Sequence, residues 1–277
     1  PLVSIVADVY PICDGGNASL SSTVTGGTGT SIYQWQLEIG SIWTNIGGAT
    51  NPTYLSPVLT EGTYTYRLLV TQGTGCYTVS NVVNIDVVPD PEVTLTALLN
   101  DFCAGGSAEI HAEVTGGAGL VQYQWEQFIS GTWTIIPGAT SADYTSVPLS
   151  AGIHFFRVIV VQNSGCQTVS EQYSITVLPD PVITIQPDVN IICSGGTVQF
   201  TSVVTGGLGA PVYQWELYNT TNSQWEIIGG ATSSTYTSAI LIQTGTYQYR
   251  LSVTQGYACA STSPEVTITV TEDPVVN

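Results

Sequence analysis

Tyr33-Gln34-Trp35-Gln36 is the stretch that decides the architecture. Alternation puts Tyr33 and Trp35 on one face of an extended segment and the two glutamines on the other, the pattern of a half-buried strand. The tripeptide returns as Tyr123-Gln124-Trp125 and Tyr213-Gln214-Trp215. Landmarks on either side keep the same period. Val-Thr-Gly-Gly stands at 24–27, 114–117 and 204–207, and Gly-Ala-Thr at 48–50, 138–140 and 230–232. Cys13, Cys103 and Cys193 are 90 apart; Cys76 and Cys166 are 90 apart, and Cys259 follows 93 later. The third copy carries extra residues near Asn219-Thr220-Thr221-Asn222, between Trp215 and Trp225, which marks a hairpin tip. The chain is therefore expected to hold three copies of one unit, 1–89, 90–179 and 180–273, with 274–277 opening a following linker or repeat.

Within a copy, short apolar-alternating runs are separated by turn signals every 8–12 residues. In the first copy they fall near 2–8, 18–25, 31–39, 41–46, 52–58, 63–71 and 81–88, and no window has a helical period. In Tyr64-Thr65-Tyr66-Arg67-Leu68-Leu69-Val70 the even positions share a face and Arg67 points the other way. Two sheets enclosing Trp35, Tyr66, Leu68 and Val70 make a sandwich. Seven strands in about 90 residues with a core Trp on the third fit an immunoglobulin-like fold. The predicted fold is all-β: three tandem immunoglobulin-like β-sandwich domains in an extended rod. Pro-containing links at 87–91, 177–181 and 271–274 make short, semi-rigid joints. Pro1-Leu2-Val3, Pro91-Glu92-Val93, Pro181-Val182-Ile183 and Pro274-Val275-Val276 are in phase. That phase, with no initiator Met or signal h-region, leads us to expect a piece of a longer array, or subunits joined end to end.

Two cysteines per unit at the same two places read as a disulfide framework, with Cys13–Cys76, Cys103–Cys166 and Cys193–Cys259 as the expected bridges. Buried free thiols are the alternative. Two Cys per unit without a recurring His offer too few ligands for zinc. Disulfides imply an oxidising compartment, hence secretion or the cell surface.

Composition removes other functions. The 277 residues include three Arg, no Lys and twenty Asp or Glu, a formal net charge of −17. Three cations cannot neutralise a nucleic-acid backbone or seek anionic lipid. Without Lys there is no Schiff base and no P-loop lysine. His111 and His154 do not recur between copies and have no triad partner at a recognisable spacing. With 43% hydrophobic and only 8% charged residues, the chain is not disordered and covers itself with something other than charge.

The ordered set Ile-Cys-x-Gly-Gly, Val-Thr-Gly-Gly, Tyr-Gln-Trp, Gly-Thr-Tyr-x-Tyr-Arg, Gly-Cys-x-Thr-Val-Ser and Val-x-Pro-Asp-Pro resembles the tandem immunoglobulin-like and PKD-like repeats of large bacterial surface adhesins and secreted filament proteins. The third copy departs at Tyr257-Ala258-Cys259, where the others have Gly-Cys. The resemblance covers the whole chain and implies an extracellular stalk or adhesive fibre with no catalytic residues.

Several residues invite a functional reading. Arg67, Arg157 and Arg250 occupy one position per unit, expected to be structural cations beside Gln36, Glu126 or Glu216 on a neighbouring strand. Trp43, Trp133 and Trp225 follow the hairpin tip and either pack it onto the sheet edge or offer a platform for glycan stacking. Asp90, Asp180 and Asp273 at the unit boundaries could hold calcium, although no dense ligand run surrounds them and solvated turns are the preferred reading. Asn17 and Asn219 lie in glycosylation sequons. We expect no enzyme, no cofactor and no resident metal. The expected role is a disulfide-stapled, semi-rigid, structural or adhesive segment of a bacterial surface fibre or filament. Its expected partners are copies of itself, further repeats, or glycans. The alternative is a carbohydrate-binding or spacer module of a larger secreted enzyme.

Overall fold

A computed structural model describes residues 1–73 and 75–273. The segment 274–277, assigned above to a following linker or repeat, lies outside the described residues. Among those described, the secondary structure is strand, turn and bend, without helix.

The first repeat contains β1 (Leu2–Ala7), β2 (Ile12–Cys13), β3 (Ser19–Thr25), β4 (Ser31–Ile39), β5 (Ile42–Asn45), β6 (Thr53–Leu55), β7 (Gly62–Gln72), β8 (Cys76–Val79) and β9 (Val83–Val88). One sheet has the order β1-β3-β6; the other runs β2-β9-β7-β4-β5, with β8 also on β7. The inward faces enclose Trp35, Tyr66, Leu68, Val70, Ile85, Ile5 and Leu20, all at most 2% exposed. Trp35 is fully buried yet satisfied, because its indole N–H donates to the Asn51 carbonyl at 2.9 Å. Gln34, on the opposite face, donates its side-chain amide to the Trp35 and Ile46 carbonyls at 2.9 Å, which ties β4 to the segment after β5. The β4–β5 hairpin turns through Gly40 and Ser41, both at positive φ, the geometry that matches strand twist in a two-residue loop.

The third repeat repeats this plan: one sheet has the order Val182–Pro187, Gln199–Thr205, Thr235–Thr237, and the other runs Ile191–Cys193, Val266–Thr271, Gly245–Thr254, Val212–Asn219, Gln224–Ile227, with Ala260–Thr262 also on Gly245–Thr254. Its core holds Phe200, Trp215, Tyr249, Leu251 and Ile268, with Phe200 and Tyr249 ring centroids 4.6 Å apart. The middle repeat has the equivalent nine strands, Glu92–Ala97 to Tyr173–Leu178. The chain divides into two compact units. The first comprises Pro1–Thr96, Ile110–Tyr144 and Phe155–Tyr173; the second comprises Ala97–Glu109, Thr145–His154 and the chain from Ser174 on.

Among the described residues each repeat thus has nine strands where the spacing predicts seven. The additional ones, β2 and β8 in the first repeat, are two and four residues long. Alternation cannot be read over two residues, and β2 is held in place by parallel pairing of Ile12 with Val87 and Cys13 with Val88. Both additional strands carry the cysteines.

Candidate functional site: cystine joints and a tryptophan–arginine face

The expected bridges within units are not the ones that form. Cys13 is bonded to Cys166, and Cys103 to Cys259, while Cys76 and Cys193 are exposed free thiols. The correction to Cys13–Cys76, Cys103–Cys166 and Cys193–Cys259 has a simple geometric cause. Cys13 pairs with Val88, beyond the residue opposite Gly62 at the start of β7; Cys76 pairs with Gln72 at its end. Ten residues of strand separate those positions by about 33 Å, and a disulfide needs Cα atoms within about 7 Å. The first cysteine of a repeat is therefore at the end facing its successor, and the second at the end facing its predecessor. Each bridge joins consecutive repeats.

The joint is more than a bond. At the first one, the Cys13 amide donates to the Ser164 carbonyl at 3.0 Å, and the Asn163 side-chain amide donates to the Pro11 carbonyl at 3.0 Å. Gly16 and Gly165 meet backbone to backbone. A Cβ on Gly16 would lie 2.6 Å from the Ser164 oxygen, and one on Gly165 would lie 2.5 Å from the Gly16 nitrogen. Only glycine permits this approach, and Gly165 is also in the left-handed region at φ +81°. Cys13, Cys166 and Ala118 form a small apolar cluster against Val88. At the second joint, the Cys103 amide donates to the Tyr257 carbonyl at 3.2 Å, and Tyr257 meets Phe102 edge-on at 5.8 Å. The glycine after Cys-x-Gly is a sequence signal for close approach, but it does not say which segment approaches.

The second feature lies on the outer face of the larger sheet. Register sets Gln36 opposite Arg67, Glu126 opposite Arg157, and Glu216 opposite Arg250. Arg67 Nε donates to Gln36 Oε1 at 2.7 Å; Arg157 and Arg250 donate to the Glu126 and Glu216 carboxylates at 2.6 and 2.5 Å. The three guanidiniums lie over Trp43, Trp133 and Trp225, 4.1, 4.3 and 4.3 Å from the ring centroids. Each tryptophan is half-buried, with one ring face covered by its arginine. Phe128 and Tyr218 flank the second and third tryptophans at 5.3 Å.

The remaining candidates are dispersed. Asn17 is half-buried beside the first joint, and its side-chain amide donates to the Ser56 carbonyl at 2.9 Å. Asn219 reaches Glu226 at 2.8 Å on the rim of the third hairpin. His111 pairs with Asp143 at 2.6 Å on the surface, and His154 with the Ser150 carbonyl at 2.8 Å. Asp90, Asp180 and Asp273 are exposed. Among the described residues no three His, Cys, Asp or Glu side chains converge as a metal site would require.

Comparison with known proteins gives a family and a set of distant likenesses. The model of a family described as Domain of unknown function (DUF8696) matches residues 4–89, 95–179 and 183–272. A curated mouse (Mus musculus) protein, Dyslexia-associated protein KIAA0319-like protein, is 24% identical over 266 residues, which is 89% of this chain and 24% of that protein. The chain thus spans about a quarter of that relative's length. Among solved structures, a Ca2+-stabilized adhesin that helps an Antarctic bacterium reach out and bind ice is 16% identical over 99% of this chain and 75% of that one, with a TM-score of 0.42. Fibronectin(III)-like modules of Clostridium thermocellum CbhA are 18% identical over 63% and 94%, with a TM-score of 0.36.

Proposed function

The chain belongs to the family described as Domain of unknown function (DUF8696), and from that premise we propose that its repeat is a mechanical unit: a non-enzymatic, extracellular, structural or adhesive segment of a bacterial surface fibre. The observation that carries this reading is the bonding of each repeat to the next through Cys13–Cys166 and Cys103–Cys259. A load-bearing array gains a joint whose bending is restricted by a covalent bond in addition to the Pro-Asp-Pro link. Such bonds persist in an oxidising compartment, which supports a secreted or cell-surface location. The scarcity of cations also suits a partner other than nucleic acid or anionic membrane. Its partners on this reading are other repeats and further copies, with glycans as adhesion targets.

Small-angle scattering tests the stapling. The oxidised chain should give a narrower distribution of long interatomic distances than a Cys13→Ser, Cys103→Ser double variant. Superimposable profiles would remove the mechanical argument.

A further inference from the structure

Each joint has two unlike halves, and the chain displays one unused copy of each. The first half is Cys13 or Cys103 with the residues around it. Ile12 and Phe102, one residue earlier, are fully buried, as are Gly16 and Gly106 three residues later. In the third repeat the corresponding Ile192 and Gly196 are half-exposed and Cys193 is an exposed thiol. The second half is Cys166 or Cys259, each 1% exposed within its joint; the corresponding Cys76 is an exposed thiol at the start of β8. Exposed apolar residues stand beside both unused halves, Ile191 at 66% and Tyr77 at 70%.

We propose that Cys193 of one chain forms a disulfide with Cys76 of a second copy, which reproduces the two internal joints between molecules. Two observations besides the free thiols argue for it. The same pair of positions forms this bond twice within the molecule, so the geometry is one that the repeat supports. The groups buried at the internal joints, Ile12, Phe102, Gly16 and Gly106, have uncovered counterparts only on the third repeat, where a neighbour's Cys76 strand would cover them. The interface is heterologous, with unlike surfaces on the two partners, so a single bond leaves one unused half on each partner, and further copies add head to tail, as a ring where the rotation closes and as an open filament where it does not. The inference rests on reading the joints as structural devices.

The chemistry needs a disulfide donor, and oxidised glutathione serves in the test. The Cys76 thiolate attacks one glutathione sulfur and expels one glutathione thiolate. The Cys193 thiolate of the other chain then attacks the Cys76 sulfur of the mixed disulfide and expels the second. Two protein thiols and one oxidised glutathione become one protein disulfide and two reduced glutathiones.

The 277-residue chain at high concentration in a glutathione redox buffer should give a ladder on non-reducing electrophoresis, with a Cys76–Cys193 cross-linked peptide in its digest. Cys76→Ser and Cys193→Ser should each abolish the ladder. Mixing the two variants should restore dimers and nothing larger, because one variant supplies only Cys193 and the other only Cys76. Persistently free thiols, or symmetric Cys76–Cys76 or Cys193–Cys193 dimers, would overturn the proposal. The internal Cys13–Cys166 and Cys103–Cys259 peptides are read in the same digest. Their presence without the ladder refutes only the link between copies, and their absence refutes the stapled unit itself.

Discussion

Cys13 and Cys76, the two cysteines of one repeat, stand at opposite ends of the strand Gly62–Gln72 and cannot reach each other in the folded unit. Oxidised protein, digested without reduction, should therefore yield the peptides Cys13–Cys166 and Cys103–Cys259. Alkylation of the isolated monomer in denaturant, before any bond between copies has formed, should find two free thiols, Cys76 and Cys193. Six blocked cysteines in the monomer with a Cys13–Cys76 peptide would contradict the structure.

The three arginines should respond unequally to truncation. Glu126 has a side chain only 9% exposed and is paired with Arg157, whereas Arg67 faces the neutral Gln36. Arg157→Leu strands a nearly buried carboxylate and should cost about 2–4 kcal/mol. Arg67→Leu loses a hydrogen bond and a cation–π contact and should cost about 1–2 kcal/mol. Denaturant midpoints measure both. Adding Glu126→Gln to Arg157→Leu should return part of the loss, and equal costs for the two single variants would refute the buried-charge account.

Ala258 is held at φ +61° in the turn before Cys259, where the second repeat has Gly165 at φ +81°. A Cβ there costs about 1 kcal/mol. Ala258→Gly should raise the stability of the third repeat by up to about 1 kcal/mol in chemical denaturation, and a loss would show that the packing of the Ala258 methyl on the Gly106 region outweighs the strain.

Alkaline pH should unfold the protein through its tyrosines. Burial raises the phenol pKa of Tyr54, Tyr66, Tyr144, Tyr236 and Tyr249, most at Tyr66 and Tyr249, because a phenolate in the core loses its hydration. The native phenols hold their protons to higher pH than the unfolded chain, whose tyrosines titrate near pH 10. Stability from this source is fully present below about pH 10 and declines above it, as the unfolded state releases protons first. Urea midpoints from pH 8 upward should show the decline, and Tyr66→Phe should weaken it. A midpoint that stays flat beyond pH 11 would contradict the burial of these phenols.

The repeat and its core were legible because they rest on local rules. The period shows in Tyr-Gln-Trp, the sidedness of β4 and β7 in their alternation, and the hairpin tip in the extra residues near Asn219-Thr220-Thr221-Asn222 of the third copy. The cystine joints were not legible, because bond partners depend on which ends of a strand face which neighbour. Nothing local to Cys13 distinguishes Cys76 from Cys166; the distinction lies in a two-residue parallel strand whose partner is 75 residues away. The close approach of Gly16 to Gly165 was half-visible, as a Gly-Gly pair in the sequence but without its mate.

The two bridges also change what the chain can do when pulled. Their loops, 13 to 166 and 103 to 259, overlap. The shortest covalent route from end to end crosses at Cys13, runs backwards from Cys166 to Cys103, and crosses again to Cys259. That route uses roughly a third of the backbone, so even a wholly unravelled molecule stops at about a third of its contour length. Nor does a single nick between Cys13 and Cys259 part the molecule, since a bridge spans every peptide bond in that interval. Reduction, by releasing the remaining two-thirds, would convert a short inextensible tether into a long one.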